Sequence, residues 1–177
     1  MQTKEKIIGI LFVGVAIVFN FLFMGLPVIF LNVGLLISLL IWANLNRSYS
    51  RKLSWLYSIG ILIQIGHFFE EYYTGFHKAL PSIFNANSWT SNQFVIFNVV
   101  WLIIFLLAAI GTFKENKLSF LVLWFFLVIG CIGNGILHIG LSLLQQRYFP
   151  GTFTAFFLFI TGVVMTREIT RNFNGRY

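Results

Sequence analysis

A histidine and two glutamates lie close together in an apolar stretch of this sequence. His67, Glu70 and Glu71 stand at positions i, i+3 and i+4, so in a helix they share one broad face. The chain has only five acidic residues and three histidines. A charge at the middle of a spanning helix costs about 2.5–3.5 kcal/mol, and charges kept there face a cavity or a polar partner. The motif is therefore predicted to be functional.

A second histidine has a polar neighbour of its own. Asn134 and His138 are four residues apart, so they share a helical face. Cys131 and Gly135 form a small-x-x-x-small pattern, which lets a neighbouring helix approach closely. If that neighbour is the helix of the first motif, His138 meets the first histidine and the two carboxylates.

This set of side chains suits one divalent metal ion. His67 and Glu71, one turn apart, can bind the same ion, with His138 as a third ligand. Glu70 is then the predicted general base. Two histidines and one carboxylate suit zinc or ferrous iron and leave a position open for water or substrate. The sequence thus predicts a metal-dependent hydrolase, oxygenase or isomerase of the membrane.

The same residues leave other functions open. Without a metal, a buried His–Glu set with shifted pKa values can move protons in an isomerase or hydrolase. Intramembrane glutamates and histidines also mark proton pathways, so a non-enzymatic proton- or ligand-binding membrane module is a further alternative. A hydrogen bond between His138 and Glu70 that only fixes helix packing would be purely structural.

The elements that must position these residues are membrane helices. The chain is 58% hydrophobic and 10% charged, whereas soluble domains are about 25% charged. Apolar runs of about 20 residues, long enough to cross a bilayer, recur along it. We expect a single all-α, polytopic domain over residues 1–177. Its six helices are predicted over residues 7–24, 28–45, 53–74, 94–113, 118–144 and 152–167.

The lysines and arginines predict the orientation of these helices. With a cytoplasmic N-terminus and six crossings, only Lys78 and Arg147 lie outside. The inside residues are Lys4, Lys6, Arg47, Arg51, Lys52, Lys114, Lys117, Arg167, Arg171 and Arg176. This distribution explains the net charge of +7 without a nucleic-acid partner and places both termini in the cytoplasm. His67 then lies about 21 Å along its helix, toward the outer face.

Other polar residues are expected to have simpler roles. Residues 75–93 are polar and poorly patterned, which predicts a loop in which His77 is solvated rather than a ligand. Asn20, Asn32 and Asn98 fall at similar depth in three helices. We expect them to form hydrogen bonds between helices, as polar side chains in membrane bundles do.

Three motifs occur in order along the chain: His67-Phe-Phe-Glu70-Glu71, His138, and Tyr148-Phe-Pro150-Gly151. Together they resemble the family of small bacterial integral membrane proteins named for its His-x-x-Glu-Glu motif. That family has a second characteristic histidine and a Tyr-x-Pro-Gly motif. The resemblance implies that these residues form one site in a bacterial inner-membrane protein, and it supplies no substrate.

The resemblance also implies that the Tyr148–Gly151 turn belongs to the site, although Pro150 and Gly151 could serve only to set the backbone of a helix connector. Tyr148 is predicted to place its hydroxyl donor over the mouth of the site. Substrate-contacting or supporting residues are predicted to be Gln64, Asn134, Pro150 and Gly151. A lipid-like or isoprenoid molecule would reach the site laterally from the outer leaflet, so the expected partners are the bilayer and such a small molecule.

Overall fold

The computed structural model describes residues 3–45 and 50–174, and these residues form helices joined by short connections. The helices are α1 (Thr3–Met24), α2 (Ile29–Asn44), α3 (Arg51–Thr74), α4 (Phe76–Ile83), α5 (Ser91–Phe113), α6 (Lys117–Phe125), a π-helical segment (Phe126–Gly133), α7 (Asn134–Gln145) and α8 (Thr152–Asn174). No strand occurs among the described residues, so the all-α prediction is confirmed. Arg47 and Arg176, which entered the charge count, lie outside this part of the chain.

Five helical stretches of the described chain are long and apolar enough to cross a membrane. They are Thr3–Met24, Leu26–Asn44, Ser91–Phe113, Lys117–Gln145 and Thr152–Arg171. The 24 residues of α3 span about 36 Å, which is also sufficient, but its polar side chains make it less apolar. The chain is therefore an integral membrane protein, and six crossings with cytoplasmic termini stay a prediction.

Local sequence signals explain where several helices begin and end. The Ser50 hydroxyl accepts a hydrogen bond from the Leu53 amide at the start of α3. Gly75 ends α3 in the left-handed conformation, with φ of 86°, which glycine adopts at no steric cost. Thr90 and Gln93 form a reciprocal capping box at the start of α5. The first two of these caps fix the ends of α3, the helix that carries the first motif.

The predicted loop over residues 75–93 is wrong in its first half, because α4 forms there. Phe76 and Leu80, four residues apart, are both buried and give this helix its apolar face. Pro81 lies inside the helix and cannot donate to the His77 carbonyl, which instead accepts a hydrogen bond from the Trp89 amide at 3.0 Å. The solvated position expected for His77 is also wrong, since it is 7% exposed.

The predicted helix over residues 118–144 occurs as the continuous stretch Lys117–Gln145, but its middle is π-helical. A π turn contains more residues than an α turn, so the segment changes the faces of everything after it. Gly34 of α2 packs directly on this segment. A Cβ atom at Gly34 would lie 1.9 Å from Cγ1 of Ile129.

Helix α8 joins the two histidine-bearing helices, since it packs against α3, the π-helical segment and α7. A Cβ atom at Gly135 would lie 2.5 Å from Cβ of Phe159, and one at Gly162 would lie 2.8 Å from Cβ of Cys131. The neighbour at the small-residue face is therefore α8 rather than α3. The short connection after α7 explains this, because sequential elements joined by short connections usually pack together.

Two of the three asparagines behave as expected. The Asn20 amide nitrogen donates to Asn32 Oδ1 at 2.9 Å, and Trp101 Nε1 donates to Asn20 Oδ1 at 3.1 Å, which links α1, α2 and α5. Asn98 is different. Its amide nitrogen is buried and has no partner among the described residues, so the expectation is wrong for that donor.

The close approach at Gly34 can be tested by adding one methyl group. We expect Gly34→Ala to lower the free energy of unfolding in detergent by about 1–3 kcal/mol, because the new methyl group overlaps Ile129. Gly14→Ala is the matched control, since a Cβ atom at that glycine has no atom within 4 Å. Equal stabilities of the two variants would show that α2 does not pack on the π-helical segment as described.

Candidate metal centre

Two histidines and one glutamate from different helices meet inside the protein. His67 and Glu71 come from α3 and His138 from α7, and both imidazoles are fully buried. Glu71 Oε1 lies 3.4 Å from His67 Nε2 and 3.4 Å from His138 Nε2. One ligand atom from each residue lies within 4.8 Å of the other two. The sequence prediction that His138 reaches the first motif is therefore confirmed.

The contact of His138 with a backbone carbonyl determines its tautomer. His138 Nδ1 lies 2.6 Å from the carbonyl oxygen of Pro150. A carbonyl oxygen only accepts hydrogen bonds, so Nδ1 carries a hydrogen. In the neutral ring Nε2 is then unprotonated, and its lone pair faces the carboxylate of Glu71.

The tautomer of His67 follows from a relay through Thr154 of α8. The Thr154 hydroxyl donates its one hydrogen to the Glu70 carboxylate. It must therefore accept at its contact with His67 Nδ1, which is 2.8 Å away. His67 Nδ1 carries a hydrogen as a result, and in the neutral ring Nε2 of His67 is also unprotonated.

With both rings neutral, three electron-pair donors therefore converge without a hydrogen between them. Neither Nε2 atom has a hydrogen-bond partner among the described residues. A separation of 3.4 Å is longer than a usual hydrogen bond of 2.7–3.2 Å. It fits two atoms that each bind zinc at 2.0–2.1 Å with a tetrahedral angle, which are roughly 3.3 Å apart. The residues present therefore fit a divalent cation.

Glu70 faces a different direction from its neighbour Glu71. Its carboxylate accepts from the backbone amides of Phe153 and Thr154 at 3.0 and 2.8 Å and from the hydroxyls of Thr154 and Tyr148. These amides belong to the first turn of α8, where a negative charge is favourable. Such contacts support a positioning role for Glu70, and its role as general base stays a prediction.

The turn before α8 brings three motif residues to the site. Tyr148 donates to Glu70, and the Pro150 carbonyl accepts from His138. Gly151 has φ of 89°, and a Cβ atom there would lie 2.7 Å from Cε1 of His138 and 2.9 Å from Cγ of Glu71. Only glycine combines this backbone conformation with this close approach. The predicted grouping of the turn with the site is thus what the structure shows.

Aromatic rings fix the orientation of the His138 imidazole. Phe76 of α4 stacks on it with ring centroids 5.2 Å apart, and Phe149 lies against it at 5.7 Å.

His77 does not join the group of possible ligands. Its ring stacks on that of Tyr72, with ring centroids 6.3 Å apart. Burial, and secondly the charge of Lys78, lowers the pKa of His77.

The predicted supporting residues Gln64 and Asn134 line an apolar cavity that also reaches Glu71. The cavity lies between α2, α3, α5 and the π-helical segment and has a volume of about 90 Å³. Thr154 was not predicted as a site residue. The only sequence signal for it is its place in the first turn of the helix that follows the Tyr-x-Pro-Gly motif, where a hydroxyl can meet a carboxylate.

A family described as proteins of unknown function with an HXXEE motif matches residues 55–166, which is more than half of the chain. The chain belongs to this family. No curated protein and no solved structure matches it. In this HXXEE protein, the first and last residues of the motif are two of the three converging side chains, and the middle glutamate binds the start of α8.

The relay through Thr154 can be tested by removing its hydroxyl. We expect Thr154→Val to lower the free energy of unfolding by about 1–3 kcal/mol, because His67 Nδ1 loses its buried partner. Thr161→Val, in the same helix, is the control, since its hydroxyl only bonds back to the Phe157 carbonyl. Imidazole ¹⁵N NMR should show hydrogen on Nδ1 of both site histidines in the wild type. Hydrogen on Nε2 alone would contradict the relay.

The contact between Tyr148 and Glu70 predicts a pH dependence. Burial, and secondly the hydrogen bond to Glu70, raises the pKa of Tyr148 to about 12. A raised pKa stabilises the fold below the ordinary tyrosine value of about 10, and this contribution is lost as the pH rises through about 12. In Glu70→Gln the pKa should fall, measured by phenolate absorbance as the difference from Tyr148→Phe. An unchanged pKa would contradict a role for Glu70.

Proposed function

We propose that this HXXEE protein is a membrane-embedded, metal-dependent enzyme that acts on a lipid-like or isoprenoid substrate. The observation that carries the proposal is the convergence of His67 Nε2, His138 Nε2 and Glu71 Oε1, in which neither Nε2 atom is hydrogen-bonded to a described residue. Three such groups repel one another in a buried place unless a proton or a cation joins them. The ligand set favours zinc or ferrous iron.

The surroundings of the ligands also support a metal. Histidines that bind metals usually donate their other N–H to a carbonyl or a polar side chain, which fixes the ring and its tautomer. Both histidines do so here, through Pro150 and Thr154. A cation held by these three residues would supply a Lewis acid that polarises a carbonyl or phosphoryl oxygen.

The proposed roles of the other motif residues follow from their contacts. Glu70 positions Thr154 and the start of α8, while Tyr148, which is 54% exposed, places its hydroxyl on Glu70 at the edge of the site. We assign proton transfer to this Tyr148–Glu70 pair. Tyr148 is exposed at the surface, and Glu70 is linked to His67 through the Thr154 hydroxyl. The charge distribution supports a multi-pass protein of the cell membrane with this edge toward the extracytoplasmic face.

A metal-free acid–base enzyme is the second candidate. Glu71 lies within ion-pairing distance of both histidines, so a proton on either Nε2 atom would also relieve the repulsion. An imidazole beside a carboxylate can accept a proton and return it during a reaction. The same residues would then perform an isomerisation or hydrolysis, or bind protons in a non-enzymatic membrane module.

Metal content decides between these candidates. We expect the purified protein, reconstituted with Zn²⁺ or with Fe²⁺ under anaerobic conditions, to hold one ion per chain by elemental analysis. His67→Ala and His138→Ala should each lose it, because two ligands hold the ion far less tightly than three. His77→Ala is the matched control and should retain the metal, since this buried histidine lies outside the group.

The two adjacent glutamates should respond differently in the same experiment. Glu71→Gln should lose the metal, whereas Glu70→Gln should retain it with an affinity about 10–100-fold weaker, as for residues that orient ligands. A wild-type protein without metal under both conditions would refute the metal-dependent function and leave the acid–base candidate. Equal metal loss in the two variants would refute the separate roles of the glutamates.

A further inference from the structure

The apolar cavity beside Glu71 is lined by two amide side chains, each of which has one buried polar atom without a partner in the described chain. Gln64 of α3 and Asn98 of α5 both line it, and they are 1% and 9% exposed. Gln64 Oε1 and Asn98 Nδ2 are buried without a hydrogen-bond partner among the described residues. An amide left unpaired in an apolar place costs about 1–3 kcal/mol, so two of them at one cavity indicate a polar group that arrives from elsewhere.

We propose that this cavity is the substrate chamber of the site and that Gln64 and Asn98 bind the hydroxyl group of a long-chain or isoprenoid alcohol. The inference rests on the proposed function, because it names the substrate class of that site. A hydroxyl both donates and accepts, so it can satisfy an amide oxygen and an amide nitrogen.

The walls of the chamber determine the rest of the molecule. They are almost entirely apolar and aromatic, including Phe97, Trp101 and Phe105 of α5 and Phe125 of α6. The volume of about 90 Å³ has room for several water-sized groups, so it accommodates the hydroxyl end of the chain while the tail extends toward the bilayer. One polar group on an extended apolar chain is the chemistry that such a chamber accepts.

The route of entry also favours a lipid over a water-soluble alcohol. A second cavity of about 240 Å³ lies between α3 and α5 and is lined by outward residues such as Phe69, Tyr73 and Val99. Phe68, Phe94 and Asn98 line both cavities and therefore form the wall between them. A molecule dissolved in the bilayer meets Asn98 as it passes this wall.

Tryptophan quenching by brominated chains tests the proposal, because Trp89 and Trp101 line the chamber. The protein is placed in lipid nanodiscs with Trp55→Phe, which removes a tryptophan that is 58% exposed. The probes are 9,10-dibromooctadecan-1-ol, its methyl ether and 9,10-dibromooctadecane. We expect the alcohol to quench with half-saturation at a mole fraction at least tenfold lower than the alkane, and the ether, which cannot donate, to fall between them.

Leucine substitutions separate recognition from folding. Gln64→Leu and Asn98→Leu should reduce the tenfold preference for the alcohol to less than threefold and should not lower Tm, because they replace an unpaired amide by an apolar group of similar size. Asn44→Leu is the control, since Asn44 is exposed and only bonds back to the Leu40 carbonyl. It should leave the preference unchanged.

Two results would overturn the proposal. Equal quenching by the alcohol and the alkane in the wild type would show that no polar anchor exists, and this comparison does not depend on the folding of any variant. A preference retained in both leucine variants would assign the anchor to other residues. Metal content of the same samples keeps the two proposals apart: a preference without metal refutes only the metal-dependent function, and metal without a preference refutes only the alcohol chamber.

Discussion

The buried carboxylate of Glu71 is the constraint on which the rest of this structure depends. A carboxylate in an apolar interior is costly unless charged or hydrogen-bonding partners surround it. Glu71 is 4% exposed, and its Oε1 atom lies 3.4 Å from each of the two histidine Nε2 atoms. Because these atoms belong to helices that do not pack extensively on each other, the fold must hold α3 and α7 at a fixed separation.

Helix α8 provides that separation, and Glu70 fixes α8 to α3. The carboxylate of Glu70 binds the first-turn amides of Phe153 and Thr154, where helix amides lack partners within the helix. The same turn gives the Pro150 carbonyl to His138 and the Thr154 hydroxyl to His67. One helix start thus orients both imidazoles. The motif needs two adjacent glutamates because one binds this helix start and the other faces the histidines.

The sequence predicted those parts of the fold that follow from hydropathy and helical spacing. Runs of apolar residues predicted the long helices, and the i, i+4 spacing placed His67 and Glu71 on one face. It could not predict that α8 packs at Gly135, because a small-residue face does not specify its partner. The π-helical segment also breaks the 3.6-residue periodicity on which face assignments after Phe125 depend.

The tautomers of the two site histidines depend on contacts within the fold, so the motif alone could not predict them. Spacing predicts which residues meet, but the direction of a hydrogen bond depends on contacts made by residues elsewhere in the chain. Thr154 is 87 positions from His67, and its one hydroxyl hydrogen is committed to Glu70. That commitment turns the lone pair of His67 toward Glu71. With neutral rings no hydrogen lies between these groups, so a group that joins them must come from outside the three side chains, and this is the physical basis of the proposed metal site.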